Sequence, residues 1–220
     1  MTQQLRLRLE RPATPSRETF VEGPSNAHAR AAVEAWPHWH GGALVLVGPA
    51  GVGKTHLASI WAEAAGAIAL DRMAPQVEAA AGRPVLLENV DQGAPDEALF
   101  HLINLAAQAG GGLLLTARTP PVGWPAALPD LRSRLNALPV AEIEEPDDEV
   151  LEGVLRNFFR ERSIRPPKEV YPYLLRRMQR SIPEAREIVR RLDEAGDGPI
   201  SRMLAREVLE GDNGNLDLFE

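Results

Sequence analysis

Cysteine is absent from this 220-residue chain. That excludes disulfides, thiol nucleophiles and Cys-ligated metals. Lysine is nearly absent too, standing only at Lys54 and Lys168, so almost all positive charge is carried by arginine. No window reaches about 18 consecutive apolar residues, which leaves no membrane-spanning helix. Residues 1–9 alternate leucine with arginine and lack an apolar core, so no secretory signal is expected and the cytoplasm is the expected compartment. The formal net charge of -7 argues against a broad cationic face for coating DNA. Arginines crowd the final third, Arg156, Arg160, Arg162, Arg176 and Arg177 among them. Solvated helix faces and a local basic surface both remain open there.

What is present divides the chain into four parts. Residues 1–19, with Pro12 and Pro15 and little periodicity, read as a flexible arm. In residues 20–145, apolar runs at 43–47, 67–70, 85–87, 113–115 and 138–143 alternate with helical patterns. Most runs are too short for helices and are followed by turn residues, so they are predicted to be buried strands. Strands separated by helices imply a parallel sheet with right-handed crossovers. The predicted class is therefore α/β, with a five-stranded parallel sheet flanked by helices.

Residues 146–210 read as a small all-helical lid, and 211–220 as a tail. Pro146 is expected in a first helical turn, with Asp147, Asp148 and Glu149 at the positive end of the dipole. Leu151, Val154, Leu155 and Phe158 then form an apolar stripe. A second helix is predicted over 168–179. Ser181 and Glu184 fit a capping box that opens a third helix reaching about residue 195, and a last helix over 201–210 keeps Leu204 and Val208 on one face.

The most specific signal is Gly48, Pro49, Ala50, Gly51, Val52, Gly53, Lys54 and Thr55, a full match to G-x-x-x-x-G-K-[ST] between a predicted strand and a predicted helix. Glycines at 48, 51 and 53 allow backbone N–H groups to turn toward phosphate oxygens, and the helix N-terminus adds a favourable dipole. Lys54 would neutralise the outer phosphates of ADP or ATP, Thr55 would hold Mg²⁺, and His56 follows on the first helical turn. The acids are less usual. The run 85–87 ends in Glu88, a candidate Mg²⁺ partner, followed by neutral Asn89, which can orient water but cannot take its proton; Asp91 is a further candidate base. Nucleotide binding with weak intrinsic hydrolysis is the expectation, with normal hydrolysis through Glu88 or Asp91 as the alternative.

Several segments together resemble the AAA+ domain of the bacterial replication initiator DnaA, and especially its shortened relatives of the Hda type. Phe20, Val21 and the residues through Asn26 look like the family's motif before the P-loop, which packs near adenine. Residues 113–121 resemble the sensor 1 strand, which would set Thr116 at the γ-phosphate or attacking water. Residues 128–135 resemble the stretch carrying the arginine finger, with Arg134 in that position. The sensor 2 arginine has no direct counterpart: Pro183 occupies the position, with Arg180 and Arg186 as possible substitutes.

The resemblance also gives the two ends a meaning. Gln4, Leu5, Leu7 and Leu9 are similar to the clamp-binding peptide of the Hda type, and their alternation suits an extended peptide in an apolar cleft. Asn215, Leu216, Leu218 and Phe219 resemble a shorter form of that motif. No helix-turn-helix segment follows the lid, so direct sequence-specific DNA binding is not expected. By resemblance, the chain would bind ADP or ATP with Mg²⁺, dock on the sliding clamp, contact DnaA, and stimulate hydrolysis of DnaA-bound ATP through Arg134; self-association is possible. The alternatives are a helicase-loader-like or remodelling ATPase and, from another class, a small-molecule kinase.

Overall fold

The computed structural model describes residues 15–195 and 199–210. Five strands form one parallel sheet: β1 (Ala43–Val47), β2 (Ile68–Leu70), β3 (Pro84–Leu87), β4 (Gly112–Ala117) and β5 (Val140–Glu142), in the order β2-β3-β4-β1-β5. Every predicted strand is present: β1 matches at both ends and the others differ by at most two residues. Helices connect them: α1 (Pro24–Glu34) enters β1, α2 (Lys54–Ala65) leads to β2, α3 (Asp96–Ala106) links β3 to β4, and α4 (Pro129–Ala137) links β4 to β5.

The continuous apolar runs follow from burial on both faces. Successive side chains alternate across a strand, so Val45, Val47, Val85, Leu87, Leu113 and Leu115 pack with α3 and α4. Leu44, Leu46, Leu86 and Leu114 pack on the opposite face with Ala29, Val33, Leu57 and Trp61 of α1 and α2. All five residues of β1 are buried, whereas the edge strands β2 and β5 are partly exposed. β1 lies between β4 and β5, and the P-loop leaves from its C-terminal end.

The remaining helices, α5 (Asp148–Glu161), α6 (Val170–Leu175), α7 (Ile182–Glu194) and α8 (Arg202–Glu210), enclose a separate apolar cluster. It contains the expected stripe of Leu151, Val154, Leu155 and Phe158, with Val208 buried and Leu204 packed at its margin. No helix among the described residues is long and apolar enough to cross a membrane.

Three local expectations are corrected. Helix α5 begins after Pro146, because Asp147 is extended and acts as N-cap, accepting from Val150 N at 2.9 Å. Helix α6 ends at Leu175 rather than near 179. The N–H groups of Arg177 and Met178 fold back onto the Leu174 carbonyl, and the backbone must then extend so that Ser181 can cap α7 by accepting from Glu184 N. The third concerns the arm. Residues 15–19 are folded against the molecule: Thr19 N and Phe20 N both donate to the Ser16 carbonyl, and Asn157 of α5 donates to the Thr19 carbonyl at 3.0 Å.

Asp147 also joins the lid to α1, on one face of the sheet. Its Oδ2 accepts from Ser25 N of α1 at 2.9 Å, while its own N–H donates to Ser25 Oγ. Burial opposes ionisation of this carboxyl, but the N–H groups of Val150 and Ser25 outweigh it and hold the pKa below the ordinary value of 3.8. A lowered folded-state pKa stabilises above the unfolded-state value and is lost as pH falls through the folded one. Asp147→Ala is therefore expected to lower unfolding free energy by about 1–2 kcal/mol at neutral pH, measured by urea denaturation. The difference from wild type should shrink below about pH 4; a pH-independent difference would remove the carboxylate from this role.

Candidate functional site

A cleft of about 370 Å³ lies between the end of the sheet and the lid helices. That suits a nucleotide-sized ligand, since small-molecule sites commonly span about 300–1,000 Å³. Ala50 to Thr55 form its floor; Phe20, Val21 and Asn26 also line it, and Phe158, Pro183 and Arg186 come from the lid.

The floor has the geometry that phosphate binding requires. Gly48 and Gly51 have φ of 153° and 76°. A Cβ on Gly48 would lie 2.3 Å from the Ile143 carbonyl oxygen, and one on Gly51 would lie 2.6 Å from Pro183 Cδ. Only glycine satisfies both the backbone and the packing here. Val52 is buried in the core and anchors the loop, and α2 begins at Lys54 with its N-terminal amides toward the cleft floor. Lys54 is 8% exposed; its Nζ donates to the carbonyls of Gly48 and Pro49, both at 2.7 Å. Burial foremost, and then the charge of Arg118, push its pKa below the ordinary value, while Asp91 and Glu88 pull the other way. This is a cation close to the loop and short of anionic partners, which an incoming phosphate would supply. Gly48 and Pro49 act through these carbonyls and do not line the cleft.

Thr55 Oγ1 donates to Glu88 Oε1 at 2.6 Å. β4 separates β3 from β1 in the sheet, yet Glu88 still reaches the P-loop helix. This hydroxyl–carboxylate pair is the right chemistry for Mg²⁺, which needs few protein oxygens when phosphates and water complete its shell. Among the described residues no group of three or more histidines or acids forms a candidate metal cage, so the pair would act together with the phosphates.

The other sequence-predicted residues divide. Asn89 lines the cleft in a left-handed conformation, φ 55°, which asparagine tolerates better than most residues. Thr116 is 1% exposed and does not line the cleft; its Oγ1 accepts from Asn89 N at 3.0 Å, so it fixes the Asn89 backbone from behind. Asp91 is likewise off the cleft wall: its Oδ2 accepts from Arg118 N at 2.9 Å, tying the loop after β3 to the end of β4. That bond gives Asp91 a bracing role through Oδ2, while its Oδ1 is buried without a hydrogen-bond partner. Asn26 lines the cleft, but its side chain is consumed locally, accepting from Gly23 N and donating to the Val21 carbonyl. Val21 presses against Gly153 of α5, where a Cβ would lie 2.5 Å from Val21 Cγ1. His56 lines the cleft, donates from Nε2 to the Ser16 carbonyl at 2.8 Å and meets the Phe20 ring edge-on.

The two candidate lid cations separate. Arg186 lines the cleft, lies over the Phe158 ring at 4.2 Å and approaches Glu161 at 3.9 Å. Arg180 is engaged by the Pro146 carbonyl and Asp148, away from the wall. Arg134 lies on α4, exposed and outside the cleft, with its guanidinium over the Phe100 ring at 5.0 Å. The clamp-peptide candidates Gln4, Leu5, Leu7, Leu9, Asn215, Leu216, Leu218 and Phe219 lie outside the described residues. Sequence reasoning missed Arg118, Asn157 and Thr19 on the cleft wall. Arg118 was traceable: it is the first charged residue past a buried strand, at the sheet end where ligands bind in α/β folds.

The lid also touches the floor directly, through Ile182 N donating to the Gly51 carbonyl at 3.0 Å. Gly51→Ala should therefore strain the turn and collide with Pro183. We expect a loss of about 1–3 kcal/mol in unfolding free energy together with loss of the melting-temperature rise produced by Mg-ADP in wild type. An unchanged melting curve with and without nucleotide would contradict the packing.

No protein-family model matches the chain. Chromosomal replication initiator protein DnaA of Bacteroides thetaiotaomicron is 26% identical over 203 residues, covering 78% of this chain and 43% of that protein. The DnaA of Thermomicrobium roseum is 32% identical over 120 residues, 53% of this chain and 26% of that one. The chain thus spans less than half the length of these curated relatives. In structure, it resembles domain III of Thermotoga maritima DnaA, with a TM-score of 0.72 at 20% identity over 88% of this chain and 95% of that one. It also resembles AMPPCP-bound DnaA from Aquifex aeolicus, with a TM-score of 0.70 at 20% identity over 92% of this chain and 69% of that one. At that identity the structural likeness establishes the fold, and the sequence relationship supplies the descent: the chain is a homologue of DnaA, corresponding to its AAA+ domain.

Proposed function

We propose that this chain is a nucleotide-binding regulator of replication initiation of the Hda type. It binds ADP or ATP in the cleft, docks on the sliding clamp through its terminal leucine-rich peptides, and stimulates hydrolysis of ATP held by DnaA. Thr55 and Glu88 would hold Mg²⁺, which would supply positive charge beside the phosphates. The chain's own groups do the rest: the glycine turn presents amides, Lys54 neutralises the polyphosphate, and Phe20 and Val21 face the base.

The observation that carries the regulatory reading is Arg134. It is exposed, does not line its own chain's cleft, and among the described residues no carboxylate pairs with it, while its guanidinium lies over the Phe100 ring. The ring holds the guanidinium by cation–π attraction without satisfying its hydrogen bonds. Such a cation is suited to enter a second molecule's nucleotide site, where an arginine supplied in trans accelerates phosphoryl transfer by roughly 10³–10⁵-fold. The site at home fits this division: Asn89 can orient a water but has no basic group to take its proton, and Asp91 is held by the Arg118 backbone. Slow intrinsic turnover is then expected.

The test is hydrolysis of DnaA-bound ATP in the presence of DNA-loaded clamp. Arg134→Ala is expected to bring stimulation down at least about 100-fold, with nucleotide and clamp affinities unchanged. Full stimulation by that variant would remove Arg134 from the mechanism, and failure of the unmodified protein to stimulate would remove the regulatory reading.

A further inference from the structure

We infer that the lid carries a docking surface for an acidic segment of a partner protein, built by Arg177 and Arg202 on the ring of Tyr173. It stands apart from the nucleotide site, since none of the three residues lines the cleft.

The surface exists because α6 packs against α8. Tyr173 of α6 is buried in the lid cluster. Arg177, just past the end of α6, sets its guanidinium 4.1 Å from the centre of that ring, and Arg202, which opens α8, sets its own at 5.2 Å. Both arginines are exposed, and among the described residues no carboxylate pairs with either. The two charges are no farther apart than those distances combined, close to the Debye length of about 8 Å in physiological salt, so they repel each other. The ring attracts each guanidinium but satisfies none of its N–H groups. The first turn of α8 contains no acid, so the positive end of that helix dipole adds to the field beside Arg202. An anion laid across the pair would relieve all of this at once.

The surroundings say which anion. Elsewhere on the lid, arginines are neutralised within the chain: Arg156 by Glu152, Arg162 by Asp193, Arg180 by Asp148, Arg190 by Glu187 and Arg206 by Glu210. The unpaired charge is therefore a compact spot and not a long stripe. Proteins that hold a nucleic-acid backbone tightly neutralise about 6–10 phosphates, and a net charge of -7 repels such a polyanion further. Two guanidinium forks instead match two carboxylates, each of which can be bonded bidentately. Met203 follows Arg202 on α8 and is 70% exposed. Arginine, tyrosine and methionine are the types enriched where proteins meet, and a methionine side chain adapts to the apolar group set against it. A segment with two acidic residues beside an apolar one has the charge and the anchor that this surface lacks.

The measurement is fluorescence anisotropy of the full chain with three labelled probes: a short peptide alternating glutamate with leucine, the same peptide with glutamine for glutamate, and a short DNA duplex. Wild type is expected to bind the acidic peptide with a Kd of about 10–100 μM, more weakly as salt rises, and the glutamine peptide at least about 10-fold less tightly. Arg177→Gln and Arg202→Gln should each weaken the acidic peptide about 5–10-fold, and Met203→Gln about 3-fold. Because these side chains are exposed, melting temperatures should stay within about 2 °C of wild type and the response to Mg-ADP should be unchanged. Equal binding of the two peptides, undiminished binding by the Arg177→Gln/Arg202→Gln double variant, or no peptide binding by wild type near 1 mM would overturn the assignment. So would a duplex bound more tightly than the acidic peptide and lost in the double variant, which would make the surface one for nucleic acid.

Discussion

The turn from β1 into α2 governs this molecule. Its backbone enters the left-handed region at Gly48 and Gly51, and each glycine is pressed against a fixed neighbour, the Ile143 carbonyl on one side and Pro183 on the other. Neither neighbour is a flexible side chain that could swing aside. The turn is therefore held by the sheet through the segment after β5 and by the lid through α7. A loop able to present several amides to one anion would be disordered or misdirected without such clamping, because an array of unpaired N–H groups has no reason of its own to converge.

That clamping makes the lid part of the site. Ile182 N bonds the Gly51 carbonyl, Asp147 bridges α1 and α5, and Asn157 holds the Thr19 carbonyl. Each contact joins segments distant in sequence, and each lies within or next to the cleft. Nucleotide occupancy and lid position are thus linked through a few hydrogen bonds worth about 1 kcal/mol apiece, which is the scale at which a ligand can shift one through the other. A surface arginine such as Arg134, resting on Phe100 of α3, shares the rigid core with the turn and keeps a fixed relation to it.

Much of this was legible in the sequence for identifiable reasons. The P-loop pattern is specific because nothing but glycine serves at its tight positions, and the strands were legible because burial on both faces leaves unbroken apolar runs. The lid stripe followed from helical spacing. What was hidden depends on contacts between distant residues. Residues 15–19 look like a proline-containing arm, yet the His56 ring bonds the Ser16 carbonyl, the Asn157 amide bonds the Thr19 carbonyl and Arg17 pairs with Glu34, so the segment is folded. Thr116 and Asp91 have the right polarity and order for direct roles, yet one is drawn behind the wall by Asn89 and the other by the Arg118 amide. Arg118 looked like one arginine among many until the register set it beside the turn.

The central claim is that the turned-in amides and Lys54 hold a nucleoside polyphosphate. Isothermal titration of the purified chain with Mg-ADP, alongside Lys54→Ala, tests it most directly. The account predicts a single saturable site in the micromolar range or tighter for wild type, at or below about −8 kcal/mol, and at least about a tenfold loss on removing the ammonium. No binding heat from wild type at concentrations near 1 mM, with the protein folded, would contradict it.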